Sequence, residues 1–416
     1  MSWSCLLLRC VVLVLGAGLF VAPVLGQNPT QTARAFVPAP LALGMGDAAV
    51  AFPSPATAFF YNPAHLATTG GPRPVFELSL QPYATRATRL FDDEDYLREA
   101  FLPAVRRGLA TLSAQERRAL YDRALALGED RTSGGMDGQA SVRVRAGSLG
   151  LGGGVFGRRF LRYNVRRGPV PELAMASQTD LTGLVSGAFD FSDFGLPGLA
   201  LGATAKVQRR YLSSKDKPLD AFSAGELHYV QEATATGLDL AATYDLSTAW
   251  LPGRFILGTA LYDVATTGFE YEFNGRTTPI DEAAPVDAAV AEAERIRALQ
   301  DYELAPSYRV GLAYVVPSRL GVTGIAVDYQ NYTDPGASRY FHTEVSRLTR
   351  LHVGAQVQLA RGLALRAGVS QGYPSAGVGV HLGPVRLAYA FFAQEDGRRP
   401  GDAPVWQHFV RLGAEF

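Results

Sequence analysis

Cysteine is almost absent. The 416 residues contain two, Cys5 and Cys10, and none beyond them. From residue 11 on, that excludes a disulfide frame, a thiolate nucleophile and a thiolate-held metal. It also leaves no Cys after the N-terminal apolar stretch to accept a lipid. Charge of one sign is lacking too: Lys plus Arg number 39 and Asp plus Glu number 39. The chain therefore carries no electrostatic footprint for nucleic acid. Past residue 26, no run approaches the roughly 20 apolar residues of a membrane helix. That excludes a helical membrane protein. It does not exclude a β-barrel, whose strands alternate apolar and polar residues and so look soluble on average.

Motifs that carry chemistry are equally scarce. The six histidines, at 65, 228, 342, 352, 381 and 408, form no H-E-x-x-H and no i, i+4 pair. Gly368-Val-Ser-Gln-Gly372 matches G-x-S-x-G, but a nucleophile elbow leads into a helix, and Tyr373-Pro374 opens another strand. Gly152–Gly157 matches G-x-G-x-x-G, but Arg158–Arg167 forms no convincing helix to hold a pyrophosphate. Closely packed strand glycines are the better account of both. Phe91-Asp-Asp-Glu-Asp95 lacks the ligand spacing of a calcium loop and reads as a solvated helix start. No catalytic residue, metal or cofactor is assigned.

The N-terminus has a short n-region with Arg9, an apolar stretch from Cys10 to Val21, and small residues ending at Gly26. Residues 1–26 read as a cleaved secretory signal. Gly is frequent at 44, alongside 22 Phe and 18 Tyr, as tight barrel packing and aromatic girdles require.

Period-two alternation then recurs along the chain. In Gln139–Ala146, Ala140, Val142, Val144 and Ala146 oppose Gln139, Ser141, Arg143 and Arg145. Leu199, Leu201, Ala203, Ala205 and Val207 oppose Lys206, Gln208 and Arg210. Leu238, Leu240, Ala242 and Tyr244 oppose Asp239, Thr243 and Asp245, and Leu351–Leu359 behaves likewise. The pattern gives about fourteen strands, starting near Val75, Gly138, Leu149, Leu181, Leu199, Glu232, Arg254, Tyr302, Gly321, Val345, Gly362, Ser375, Pro384 and Pro404.

Tight connections alternate with mostly long ones: Ala84–Asp137, Phe160–Asp180, Leu212–Val230, Gly268–Asp301 and Asn331–Glu344. Short turns on one side and long loops on the other are the plan of an outer-membrane barrel, with the short turns periplasmic. Two long connections contain expected helices, near 90–130 with the capping box Ser113-Ala-Gln-Glu116, and near 285–300. The chain ends on a strand with Trp406, His408, Val410, Leu412, Ala414 and Phe416 on one face, which resembles the C-terminal signal read by barrel assembly machinery. The fold class is thus all-β: a transmembrane antiparallel up-and-down barrel in residues 74–416. Polar inward rows would include Arg143, Arg145, Lys206, Arg210, Asp239, Asp328, Arg366 and Arg386, with opposite charges bracing the interior.

Before the barrel, residues 27–73 fit neither period. Leu41–Ala67 is apolar, yet Gly44, Gly46, Pro53, Pro55 and Pro63 interrupt it. It reads as a plug or lining for the barrel mouth, starting at the short-turn end. Leu43-Gly-Met-Gly46, Ala48–Ala51 and Tyr61-Asn-Pro-Ala64 with Leu66 resemble the N-terminal signature of the FadL superfamily, which includes long-chain fatty-acid transporters and the PorV/PorQ branch. His65 stands where Gly is usual, and Asp47 where Gly or Arg is usual. The resemblance implies a fourteen-stranded barrel with a hatch in its lumen and an outer-membrane location. It implies a channel for hydrophobic small molecules or, alternatively, a barrel that binds protein partners in type IX secretion or surface assembly. The hatch and ligand candidates are Gly44, Gly46, Phe59, Phe60, Tyr61, Asn62 and Pro63. The expected partners are outer-membrane lipid and either a hydrophobic ligand or a secretion-system or surface protein, with no nucleic acid.

Overall fold

In the first strand, β1 (Val75–Ala84), Leu78 and Leu80 are 61% and 51% exposed, whereas Glu77, Ser79 and Gln81 are 5% exposed or less. A soluble protein would show the reverse. An apolar outer face and a polar inner face are what a strand needs between lipid and a lumen. The computed structural model describes residues 39–85, 100, 102–108, 111–128, 132–166, 172–218, 231–247, 253–267, 269–273, 306–318, 321–331, 350–360, 362–395, 401 and 404–416. The signal, Phe91–Asp95 and the expected helix near 285–300 lie outside these residues.

The remaining strands are β2 (Thr132–Ala146), β3 (Leu149–Arg166), β4 (Glu172–Asp190), β5 (Leu199–Pro218), β6 (Gln231–Asp245), β7 (Arg254–Tyr262), β8 (Glu270–Phe273), β9 (Ser307–Ser318), β10 (Gly321–Asn331), β11 (Leu351–Ala360), β12 (Leu363–Ser370), β13 (Tyr373–Leu382), β14 (Val385–Glu395) and β15 (Pro404–Glu415). Each pairs antiparallel with its neighbours, and β1 with β15 and β5 with β6 complete the ring. The short β8 continues the line of β7 along β6, so the wall has fourteen positions. Leu240 faces Leu261 while Thr234 faces Glu270. Three extra residues therefore bulge out of this strand, near Asp263 with its left-handed φ of 52°.

The seam between first and last strands is braced by charge. Arg143 reaches Glu77 at 3.3 Å and Glu415 at 2.8 Å. Arg411 also pairs with Glu77, and Arg386 with Glu415. Outside, Phe189, Phe191 and Phe194 pack edge to face at the β4–β5 turn, and Phe255 packs with Tyr314. They form part of an aromatic band at the short-turn rim.

Two expected long loops are shorter than the sequence suggests. β3 continues to Arg166, β4 starts at Glu172 and β5 reaches Pro218, giving strands of 18, 19 and 20 residues. About 9–11 residues suffice to cross a bilayer, so these strands rise well past it on the long-loop side. There the outer face no longer needs to be apolar, and Arg159 and Arg209 point outward. The alternation that marks a membrane strand is lost although the ladder continues. At the same end, Gln371-Gly372, with φ of 56° and 90°, makes a two-residue hairpin. Of the expected helices, Ala114–Gly128 is present, and its Ser113 and Glu116 bond reciprocally at 2.9 and 3.2 Å.

Leu80→Arg, in the middle of the ten-residue β1, should cost about 2–4 kcal/mol in urea unfolding from lipid vesicles, whereas Leu382→Arg at the rim should cost about 1 kcal/mol or less.

Candidate functional site

Residues 39–69 lie inside the barrel and have little regular structure of their own. α1 (Pro40–Gly44) is one turn with Pro at its start. Gly46 and Asp47 then take consecutive left-handed conformations, φ 63° and 66°, and reverse the chain. Pro55–Thr57 is a single 3₁₀ turn, and α2 (His65–Thr68) is another short turn. Nearly every residue from Ala39 to Ala67 is buried. Backbone this irregular, placed at membrane depth, must find its hydrogen-bond partners in the surrounding wall.

The wall is shaped to receive it. A methyl at Gly377 would sit 3.0 Å from the Cα of Gly44. At Gly354 or Gly368 it would strike the Met45–Gly46 backbone, and at Gly258 the Val50–Ala51 backbone. At Gly202 it would meet Pro63–Ala64, at Gly150 Leu66–Ala67, and at Gly152 the Phe59 ring. These seven inward positions, on six strands, thus lack a Cβ where the plug lies against them, and Gly311 on β9 does likewise beside Val50. Both glycine motifs of the sequence belong to this set, through Gly152 and Gly368.

Polar contacts fix the register. Asp328 Oδ2 accepts the backbone N–H groups of Ala49 and Val50 at 2.7 and 2.8 Å. Arg309 donates to Asp47 O at 2.7 Å and to Asp47 Oδ2 at 2.9 Å, and lies 3.6 Å from Asp328. Tyr61 donates to Asp47 Oδ1 at 2.5 Å, and the Arg309 guanidinium lies 5.1 Å from the Tyr61 ring centre. Ser375 Oγ accepts from Gly46 N at 2.9 Å, and His352 Nδ1 donates to Gly46 O at 3.0 Å. Asn62 Nδ2 donates to Val50 O at 2.8 Å and to Ala242 O at 3.2 Å, while its Oδ1 accepts from Ala64 N at 3.0 Å. That last contact closes the Asn62-Pro63 turn. Tyr262 donates to Tyr61 O at 2.8 Å.

The remaining sequence candidates separate by role. Phe59 and Phe60 meet Phe156 edge-on at 5.9 and 4.5 Å, so both rings pack against β3. Leu43 joins Tyr83, Phe160, Phe392 and Phe409 in an aromatic cluster toward the long-loop ends of their strands. The plug therefore starts toward the long-loop side and finishes at the short-turn rim, against Gly150. This corrects the expected start at the short-turn end. Only its finish is constrained, because residue 69 must lead into β1.

Elsewhere on the inner wall most of the candidate charges are ion-paired, whereas Arg366 meets the neutral Gln356. Arg210 chelates Asp180 at 2.7 and 3.0 Å. Lys206 lies 2.8 Å from Asp239 and 2.9 Å from Asp263. Arg366 donates to Gln356 at 2.8 Å. Arg143 and Arg386 belong to the seam, and Arg145 lies near the short-turn rim, 3.7 Å from Asp190. Sequence reading did not single out Arg309, Ser375, Tyr262 or the glycine row as one set. The available signal was an inward-row glycine recurring on successive strands.

His65, where the sequence departs from the family pattern, donates from Nε2 to Val50 O at 3.1 Å. Burial pushes its pKa from 6.5 to about 4; the bond to Val50 opposes the shift and the positive charge of Arg254 adds to it.

A closed barrel with an internal plug is the class these features define. The family described as "F plasmid transfer operon, TraF, protein" matches residues 172–328, less than half of the chain. No curated protein matches the chain. Among solved structures, the TodX deltaS2S3 mutant monoaromatic hydrocarbon channel is similar with a TM-score of 0.50 at 13% identity, covering 91% of this chain and 97% of that one. The Ralstonia pickettii toluene transporter TbuX has a TM-score of 0.49 at 14% identity, covering 90% and 97%. A Pseudomonas aeruginosa FadL homologue has 0.44 at 13% identity, covering 91% and 98%.

Asp328→Ala removes the acceptor of two buried N–H groups, each bond to a charged group being worth about 1.5–3 kcal/mol. The barrel should persist while residues 39–69 become sensitive to added protease. A pH effect follows from His65. Its folded pKa is depressed, so no cost arises above pH 6.5. Between pH 6.5 and 4 plug retention should weaken by up to about 3 kcal/mol, with no further loss below. His65→Gln, which keeps a donor for Val50, should flatten the pH profile of protease sensitivity.

Proposed function

We propose that this chain is an outer-membrane channel for hydrophobic small molecules, with residues 39–69 acting as its hatch. The observation that carries the reading is the fit of one irregular segment to a wall cleared of side chains along its path and latched by Asp328, Arg309, His352 and Ser375. A segment that served only as filling would need no such dedicated path. The ligand class is taken from the FadL-like signature in Leu41–Ala67 and from the TodX channel whose fold the barrel shares. Ligand enters from the long-loop side and meets the aromatic cluster around Leu43 and Tyr83. It passes when the hatch shifts, and leaves through the wall or the short-turn mouth. No bond is made or broken.

A second reading, a barrel that binds protein partners in secretion or surface assembly, draws on one observation. The inner wall carries ion pairs at Asp180, Lys206 and Glu77 where an apolar tunnel would run. The comparisons do not support it. Native mass spectrometry of the detergent-purified protein separates the two: a co-purified hydrocarbon or fatty acid supports the channel, a tightly held protein the alternative. In proteoliposomes, uptake of toluene should exceed that of protein-free vesicles and rise further with Asp328→Ala, which loosens the hatch. Equal uptake by all three would exclude the channel.

A further inference from the structure

At the short-turn rim, between the plug and β2–β7, lies a cavity of about 220 Å³. Pro53, His65 and Thr68 of the plug form one side. Arg145, Asp190, Thr243, Asp245 and Arg254 of the wall form the other. One water needs only about 10–15 Å³, so the space suits a small molecule. It is reached from the rim, where the side chains of Arg145 and Arg254 are partly exposed.

The polar groups around it are unevenly satisfied. Asp190 accepts from Ser192 N at 2.9 Å and Ser192 Oγ at 2.6 Å, and its other oxygen faces Arg145. Asp245 accepts from Ser247 N at 3.0 Å, and its other oxygen takes Arg254 Nε at 2.6 Å. Both carboxylates are therefore occupied and ask for no cation. Two buried atoms on the cavity, His65 Nδ1 and Thr243 Oγ1, have no partner among the described residues. Because His65 Nε2 donates to Val50 O, Nδ1 is a bare acceptor. The Nη groups of Arg254, and Nη1 of Arg145, likewise find no acceptor among the described residues.

Donors at the arginines, an acceptor at His65 and a hydroxyl at Thr243 together describe a ligand. It has a carboxylate for the guanidiniums and, close to it, a hydroxyl or ammonium that can donate to the imidazole. We propose that this cavity binds a small α-hydroxy or α-amino carboxylate at the short-turn face of the plug. The site does not depend on the channel reading and would stand if that reading failed. Since His65 and Thr68 belong to the plug and Thr243 and Arg254 to the wall, an occupant bridges the two and ties the finish of the plug to the barrel.

Isothermal titration of the detergent-purified full chain tests this with L-lactate, L-alanine, propionate and 1-propanol. Saturable binding is expected for L-lactate, L-alanine or both; which of them binds decides between hydroxyl and ammonium. Propionate, which lacks the donor, should bind about tenfold more weakly, the equivalent of one hydrogen bond, and 1-propanol not at all. Thr243→Val and Arg254→Gln should each weaken binding by about tenfold or more. Thr243→Val, nearly equal in shape and with no structural bond to lose, keeps the test valid should Arg254→Gln disturb the β6–β7 turn. Absence of saturable binding, equal affinity for propionate and L-lactate, or unchanged affinity in Thr243→Val would each overturn the proposal.

Discussion

Asp328 holds two backbone N–H groups of a segment that cannot satisfy them itself. The rest of the interior depends on that constraint. A stretch with Gly or Pro at so many positions forms neither helix nor ladder, so its buried peptide groups must be met from outside. Asp328 meets two, Ser375 and His352 meet those of Gly46, and Tyr262 meets Tyr61. Asp47 turns the arrangement inward, gathering Arg309 and Tyr61 on one carboxylate. A buried charge is tolerable only when paired and hydrogen-bonded, and here each partner is shared between plug and wall. The polar contacts set position, while the glycine positions make room, and neither device works without the other.

The wall is correspondingly uneven. On the β3–β5 side it is 18 to 20 residues tall, and at β12 only eight. The short strands carry Gly354, Gly368, Gly377 and Ser375 against the start of the plug. The tall ones carry Gly150, Gly152 and Gly202 against its finish. The plug therefore runs obliquely across the barrel.

The barrel was legible because lipid imposes a period of two on every crossing strand. The starts of β1, β3, β5, β7, β10 and β15 fall where the alternation puts them. Legibility ends where lipid does: the upper halves of β3, β4 and β5 are paired like the rest, but water outside removes the apolar row. The plug was legible as a signature and as an excess of chain breakers. Its direction was not, because nothing local to Leu41–Ala67 encodes which wall it meets first. Arg309 stood out in no pattern of the sequence. Its partner Asp47 lies 262 residues away in sequence, and no periodicity links two such positions. His65 looked like a fault in a motif; its ring reaches back to Val50 O, close to where Asn62 also bonds, and so takes part in the turn it seemed to disrupt.

The charged seam has a consequence for how the molecule is made. Glu77 and Arg143 sit on the first hairpin, whereas Arg386, Arg411 and Glu415 arrive on the last. As the chain emerges, the early pair waits with its valences incomplete until the final strand docks. Closure is thus the step that joins these charges into one network, with Glu77 shared by Arg143 and Arg411 and Glu415 shared by Arg143 and Arg386. A cylinder cut short by its last strand would expose an open edge and leave Arg386 without Glu415. An unfinished chain is distinguished from a finished one by electrostatics as well as by shape.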